Sequence, residues 1–187
     1  MKTRDLQTWL HLAARNVWPL SLILKREDEN LRDMFEHTGL TGVFRSLEIG
    51  CGTGRVARLL RLPSPAVGLD RSLDLVRRTG SAAVVGDAFH LPLRSGSIDL
   101  LLSVGVSEYA RDIEGLVNEM AAVSNRGAIL LLTSAPPTLF YRLRHMLDSR
   151  IRARAPEQVL AIAERYGFSQ RERRHTASQD LYLLVKR

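Results

Sequence analysis

The segment Ser46-Leu-Glu-Ile-Gly-Cys-Gly-Thr-Gly-Arg-Val-Ala57 constrains the fold more than any other part of the chain. Leu47 and Ile49 are strand-like, and three glycines come next at alternate positions, Gly50, Gly52 and Gly54. Val56, Leu59 and Leu60 then fall on one helical face. A strand that runs into a glycine-rich turn and a helix lets a ligand approach the backbone closely, because glycine lacks Cβ and tolerates positive φ. Arg55 stands where the dinucleotide fingerprint G-x-G-x-x-G needs its third glycine, which argues against NAD or FAD. The acidic Glu48, just before the turn, points to a ligand group that is positively charged or donates hydrogen bonds.

The apolar segments beyond the turn lie at distances that fit a doubly wound fold. Pro65-Ala-Val-Gly-Leu-Asp70 reads as a second apolar strand ending in a carboxylate. An acid about 20 residues beyond the glycines is where such a fold grips a ribose hydroxyl pair. Ala82–Asp87 gives a third strand, again ending in Asp, and Ser97–Gly105 a fourth. The strings E-x-G-x-G-x-G (48–54) and G-D-A-F-H-L-P-L-R-S-G-S-I-D-L-L-L-S (86–103) carry a resemblance over residues 44–134. The chain there resembles the class I S-adenosylmethionine-dependent methyltransferases, in their small-molecule, methyltransferase-11-like form. The resemblance implies S-adenosyl-L-methionine as cofactor, with Asp70 on the ribose hydroxyls and Arg71 beside it. It implies Asp87 and Ala88 at the adenine edge and Ser103 and Val104 beside the methionine part. Glu48, Gly50, Cys51 and Gly52 would form the turn around the ligand. The resemblance speaks to the superfamily and not to a substrate.

Each of these residues also has a plainer role open to it. Asp70 and Asp87 can cap the helices after them, since Asp is a favoured N-cap. Asp99, after Gly96-Ser97 at the head of a strand, reads as structural, pairing with nearby backbone. Cys51 reads as a packing choice within the turn rather than a nucleophile. It is the only cysteine, so no internal disulfide or multi-cysteine metal site can form, and no metal is expected.

At 187 residues the chain suits one α/β domain and is short for two. The expectation is a doubly wound, mostly parallel seven-stranded sheet of the Rossmann-like methyltransferase type, with N-terminal helices. Residues 1–40 would form a helical cap, 41–134 the cofactor-binding core, and 135–187 an acceptor-side insert and the last strands. In the cap, Leu6, Trp9, Leu10 and Ala13 share a face, Pro19 interrupts the pattern, and a second helix is predicted over Asp28–His37. Trp9 and Trp18 suit a lid over the cofactor. Strands are expected near 44–49, 65–70, 82–86, 98–104, 127–133, 171–177 and 180–186, with helices near 54–61, 72–79, 112–124 and 157–166. The seventh strand, inserted antiparallel, is implied by the resemblance. The longest apolar run, Ala128–Thr133, is far short of a membrane span. The mixed polar N-terminus lacks a secretory h-region, so a cytoplasmic protein is expected.

Ligands of open α/β sheets bind at the carboxyl ends of the strands, so the Val106–Arg111 loop and the insert Ala135–Arg150 should border the acceptor. Tyr109, Tyr141 and His145 are therefore candidate acceptor contacts. The competing reading is an amphipathic insert helix that lays Leu139, Leu143 and Met146 against the sheet. Where many relatives carry a His or an aromatic near 108–109, this chain has Glu108 and Tyr109. No general base is assigned. The net charge of +7 comes from arginine, concentrated late at Arg142, Arg144, Arg150, Arg152, Arg154, Arg171, Arg173 and Arg174. Such a patch fits RNA or a phosphorylated substrate, or a solvated surface, which is the reading taken. The function expected is methyl transfer to a small molecule by in-line displacement. The alternatives are an RNA or protein methyltransferase, and a cofactor-binding regulatory protein without catalysis.

Overall fold

The apolar runs become one sheet because helices cover both of its faces, which is why the central strands lack polar alternation. The computed structural model describes residues 20–42, 44–63, 66–176 and 178–187. Its strands are β1 (Ser46–Ile49), β2 (Ala66–Asp70), β3 (Ala83–Val85), β4 (Ile98–Ser103), β5 (Ser124–Ser134), β6 (Phe168–His175) and β7 (Asp180–Lys186). They lie in the order β3-β2-β1-β4-β5-β7-β6. The first five pair in parallel, and β7 enters antiparallel between β5 and β6, with Ser134 opposite Asp180. This is the expected doubly wound α/β sheet with its antiparallel seventh strand. The strand order reverses between β1 and β4, so a crevice opens there at the carboxyl ends.

The helices are α1 (Leu20–Glu36), α2 (Arg55–Leu60), α3 (Leu73–Val76), α4 (Ile113–Val123), α5 (Leu139–Leu147) and α6 (Pro156–Arg165). The two-residue period of the strands divides the core. Leu100, Leu102, Leu131, Leu181 and Leu183 pack with Leu31 and Met34 of α1 and Val56 and Leu60 of α2. Leu101, Leu130, Leu132, Tyr182 and Leu184 face Leu116, Val117 and Met120 of α4 and Val159 of α6. Among the described residues, no helix is long and apolar enough to cross a membrane.

Asp99 behaves as the sequence suggested. Its carboxylate accepts the Arg45 backbone N–H at 2.8 Å, the Arg45 guanidinium at 3.0 Å and the Asn125 side chain, tying the starts of β1, β4 and β5 together. Three expectations are corrected. The second N-terminal helix begins at Leu20 rather than Asp28. Leu24, Glu27, Asp28, Leu31 and Met34 have helical spacing, so the charge run 25–29 conceals a continuous inner stripe. The helix expected over 72–79 closes after one turn, because the buried Thr79 hydroxyl bonds the Val76 and Ser81 carbonyls. The insert helix does not lay its apolar face on the sheet: Leu139, Leu143 and Met146 are 73%, 54% and 82% exposed. Polar contacts made by Arg144 and His145 hold α5 instead. The cap residues Trp9 and Trp18 lie outside the described residues.

Gly68, in the middle of β2, has a packing reason. A Cβ there would meet Cys51 Sγ at 2.7 Å and Cys51 Cβ at 2.9 Å, so the turn after β1 rests directly on the neighbouring backbone. Gly68→Ala is expected to destabilise the fold by about 1–3 kcal/mol through overpacking. Denaturant unfolding should show a lower midpoint with an unchanged m-value.

Candidate active site

The turn after β1 is built by three left-handed glycines, Gly50 (φ 67°), Gly52 (φ 55°) and Gly54 (φ 75°). A Cβ on Gly50 would strike Val106 Cγ2 at 2.3 Å, so glycine there is what lets the loop after β4 close against the turn. Open space faces the missing Cβ atoms of Gly52 and Gly105. Gly54 is the N-cap of α2 and offers no side chain to the first N–H groups of the helix. Glu48 does this from outside. Its buried Oε2 accepts the Ala57 N–H at 3.1 Å, and Val56 N–H also contributes. The carboxylate therefore braces the turn from within, and the ligand-facing role suggested by its charge is left to neighbouring groups.

Asp70, at the end of β2, accepts the Gly52 N–H at 2.9 Å through Oδ2 and the Ser72 N–H at 2.9 Å through Oδ1. Each oxygen keeps a lone pair, so this half-buried carboxylate can bind a diol while it holds the glycine turn in register. Arg71 beside it is exposed. At the end of β3, Asp87 is exposed and accepts the Phe89 N–H at 3.0 Å, while Ala88 packs against the core. Ser103 ends β4 fully buried, and its Oγ has no partner among the described residues. Val104 is half-buried against the α1–α2 core, and Gly105 donates to Thr133 Oγ1 at 2.8 Å. Glu48, Gly50, Cys51, Gly52, Asp70, Ser103 and Val104 thus converge on the crevice at the ends of β1, β2 and β4, with Asp87 and Ala88 one strand further on. Cys51 is buried, and burial pushes its thiol up to about 12, so it stays protonated and serves packing. Among the described residues, no group of three or more His, Cys, Asp or Glu side chains is placed to hold a metal ion.

The acceptor side holds more than the sequence revealed. Glu108, in the short helical turn Ser107–Tyr109, is 4% exposed, and its Oε1 accepts from Arg144 of α5 at 2.8 Å. Tyr109 is next in the chain, with the Arg150 guanidinium 5.7 Å from its ring centre. Burial raises its hydroxyl above the ordinary range. Tyr141 and His145 are elsewhere engaged. His145 Nδ1 lies 2.9 Å from the Ile151 carbonyl, and Tyr141 Oη donates to the same oxygen at 3.4 Å. They close the turn after α5. Arg154, 6% exposed, donates to the Ser107 and Ala110 carbonyls and so fixes the Glu108 turn from behind. Glu27 of α1 completes the group through its electrostatic coupling to Arg144 and Glu108. Nothing local in the run Lys25–Glu29 marks Glu27, whereas Glu108 was visible as a departure from the family's usual residues.

Burial holds both Glu48 and Glu27 at about 7, well above the ordinary carboxylate range. An acid raised on folding stabilises the fold fully below its unfolded value and loses that contribution as pH rises through the folded value. Stability should therefore fall from about pH 5 to about pH 8, by up to ~3 kcal/mol for each group. Glu48→Gln keeps an oxygen for the Ala57 N–H and removes one of the two contributions. Unfolding curves across this range should show the shallower slope.

Residues 47–132 match a methyltransferase domain family. The chain is 34% identical over 104 residues to a malonyl-[acyl-carrier protein] O-methyltransferase of Dechloromonas aromatica, a match covering 53% of this chain and 39% of that one. The chain thus spans about two fifths of that curated relative. Magnesium protoporphyrin IX methyltransferase from Synechocystis PCC 6803, solved with bound SAH, superposes with a TM-score of 0.80 at 14% identity, over 99% of this chain and 95% of that one. The [4+2]-cyclase SpnF superposes at 0.71 with 16% identity, over 85% and 80% of the two chains. Fold alone therefore leaves the reaction open. Over residues 47–132, which include the glycine turn and β2 to β4, the chain is similar to a methyltransferase domain.

Proposed function

We propose that this protein transfers the methyl group of S-adenosyl-L-methionine to a small-molecule acceptor. The observation that carries the reading is the link from the Gly52 N–H to Asp70, which joins the glycine turn to the ribose-binding position. The residues present fit the cofactor. Asp70 would take the ribose hydroxyls, Asp87 and Ala88 the adenine edge, and Ser103 and Val104 the methionine part, in front of the open face of Gly52. When bound, the cofactor supplies an electrophilic methyl group on a sulfonium that is already a good leaving group. The protein then has to supply alignment and exclusion of water. Val106 seated on Gly50 brings the acceptor-side loop against the cofactor turn, so both partners would be held by one contact.

The late arginines support a small acceptor over a nucleic acid. A nucleic-acid enzyme needs free cations along a backbone track. Here Arg144 is engaged by Glu108, Arg173 by Asp180, Arg174 by Asp33 and Glu172, and Arg150 by Asp148. Arg154 is buried on backbone carbonyls, and Arg171 donates to Thr38 O at 3.3 Å. Arg55, at the place of the missing third glycine, is paired with Asp28, which supports discrimination against dinucleotides.

Calorimetry should show binding of S-adenosylmethionine and S-adenosylhomocysteine and no heat with NAD. Asp70→Ala should weaken both ligands tenfold or more, since hydrogen bonds to a charged acceptor contribute ~1.5–3 kcal/mol. Absence of heat with either ligand at high concentration would remove the reading. Labelled methyl should pass from S-adenosylmethionine into the small-molecule fraction of a cell extract. Label confined to nucleic acid or protein would replace the acceptor assigned here.

A further inference from the structure

The acceptor side carries buried acceptor atoms that the fold leaves unsatisfied. Glu108 Oε2 and Glu27 Oε1 are both sealed from solvent and have no hydrogen-bond partner among the described residues. The second oxygen of Glu108 is held by Arg144, so the free one has a fixed direction. Arg144 also donates to Ser178 O at 3.3 Å, which anchors it from the β6–β7 turn. Two contacts place this group over the cofactor turn. Val106, two residues before Glu108, sits on Gly50, and Asp28, next to Glu27, pairs with Arg55 at the head of α2. Buried polar atoms are almost always paired, and a free one costs its full desolvation. Each such atom calls for an explanation, and a ligand that donates to it is one.

We propose that Glu27 and Glu108, the latter held by Arg144, form the acceptor-recognition subsite, and that it selects an acceptor presenting an N–H or O–H donor, an amine or hydroxyl rather than a carboxylate. The inference rests on the methyl-transfer reading above. Arg144 and the buried Arg154 balance the charge of the two acids, so what the subsite lacks is hydrogen-bond donors for the two free oxygens. A carboxylate acceptor brings no donor and would leave both free oxygens unpaired. An amine or hydroxyl satisfies those oxygens directly.

The test compares wild type with Glu27→Gln and Glu108→Gln by three readouts. Thermal melting at about pH 8 asks whether Glu27 is structural: an uncompensated buried acid makes Glu27→Gln melt a few degrees higher, whereas a lower melting temperature overturns the proposal. Calorimetry with S-adenosylhomocysteine should change less than about twofold in either variant, because neither residue is assigned to the cofactor. Loss of that binding overturns the acceptor role. The third readout is labelled methyl transfer into a small-molecule extract, followed by base treatment, which releases methyl esters as volatile methanol and leaves N-methyl and O-methyl ether products intact. The expected result is base-stable label, reduced more than tenfold by each variant. Volatile label shows a carboxylate acceptor and overturns the proposal while the methyl-transfer reading stands. A wild-type protein that binds S-adenosylhomocysteine but labels nothing takes down that reading and the proposal with it.

Discussion

Glu48 joins the end of β1 to the beginning of α2, and the geometry of the ligand side depends on that join. The helix starts on Gly54, which has no capping side chain, because a larger residue could not hold φ 75° without strain. The orphan N–H groups of the first turn need an acceptor, and the carboxylate that reaches them comes from the preceding strand. Putting that acid in the core raises its proton affinity, and the same burial fixes it in one place. The turn between the two anchors can then be almost pure backbone. Gly50 yields to Val106, Gly52 donates to Asp70, and Cys51 fills the notch left by Gly68. Strand, turn and helix act as one rigid piece, and the neighbouring strands β2 and β4 are registered against it.

The arginine content has a different explanation from the surface charge suggested by composition. Several late arginines work as internal cross-links. Arg154 ties the segment before α6 to the carbonyls of the Glu108 turn, Arg144 ties α5 to that turn and to the β6–β7 turn, and Arg174 ties the edge strand β6 to Asp33 of α1. A planar guanidinium with five donors can satisfy carbonyls and carboxylates from separate elements at once, which lysine cannot. The insert α5 shows the consequence. It is held by its polar side, so its leucines and Met146 remain in solvent, although amphipathic spacing alone would turn them inward.

The positions of the residues proposed for the cofactor were legible because their signals are local. Alternate glycines, a strand-end acid and a second one a strand later are all read from contiguous residues, and each lands at the expected strand end. Asp99 was legible for the same reason. The acceptor half was not. Glu27 belongs to a charge run that looks solvated, and only the tertiary approach of α1 to α5 turns it inward. Tyr141 and His145 were chosen because their insert follows the fifth strand, and both also contact the carbonyl of Ile151, which no pattern foretells. The length of α1 was missed because Glu27 and Asp28 occupy the inner stripe between Leu24 and Leu31, and the partner of Asp28 is Arg55, far away in sequence.

The distribution of unsatisfied atoms separates the stable part of the molecule from the working part. Six buried side-chain polar atoms have no partner among the described residues: those of Glu27, Ser46, Ser103, Glu108, Ser178 and Asp180. Ser46 begins β1, at the far end of the sheet. Ser103, Glu108, Ser178 and Asp180 lie at or just beyond the carboxyl end of β4 or at the antiparallel start of β7, which is the same edge, and Glu27 reaches that edge from α1. At the opposite edge, Asp99 is saturated by Arg45 and Asn125, and Ser97 and Ser124 hydroxyls bond backbone carbonyls. Packing alone would not sort polar atoms by edge, because both edges contain the same strands and the same two covering layers. Ser46 departs from this asymmetry, and the other five atoms follow it. The apolar layers beneath, closed by Leu100, Leu101, Leu130 and Leu131 with no exposed surface, supply the stability that lets the upper edge remain unsatisfied.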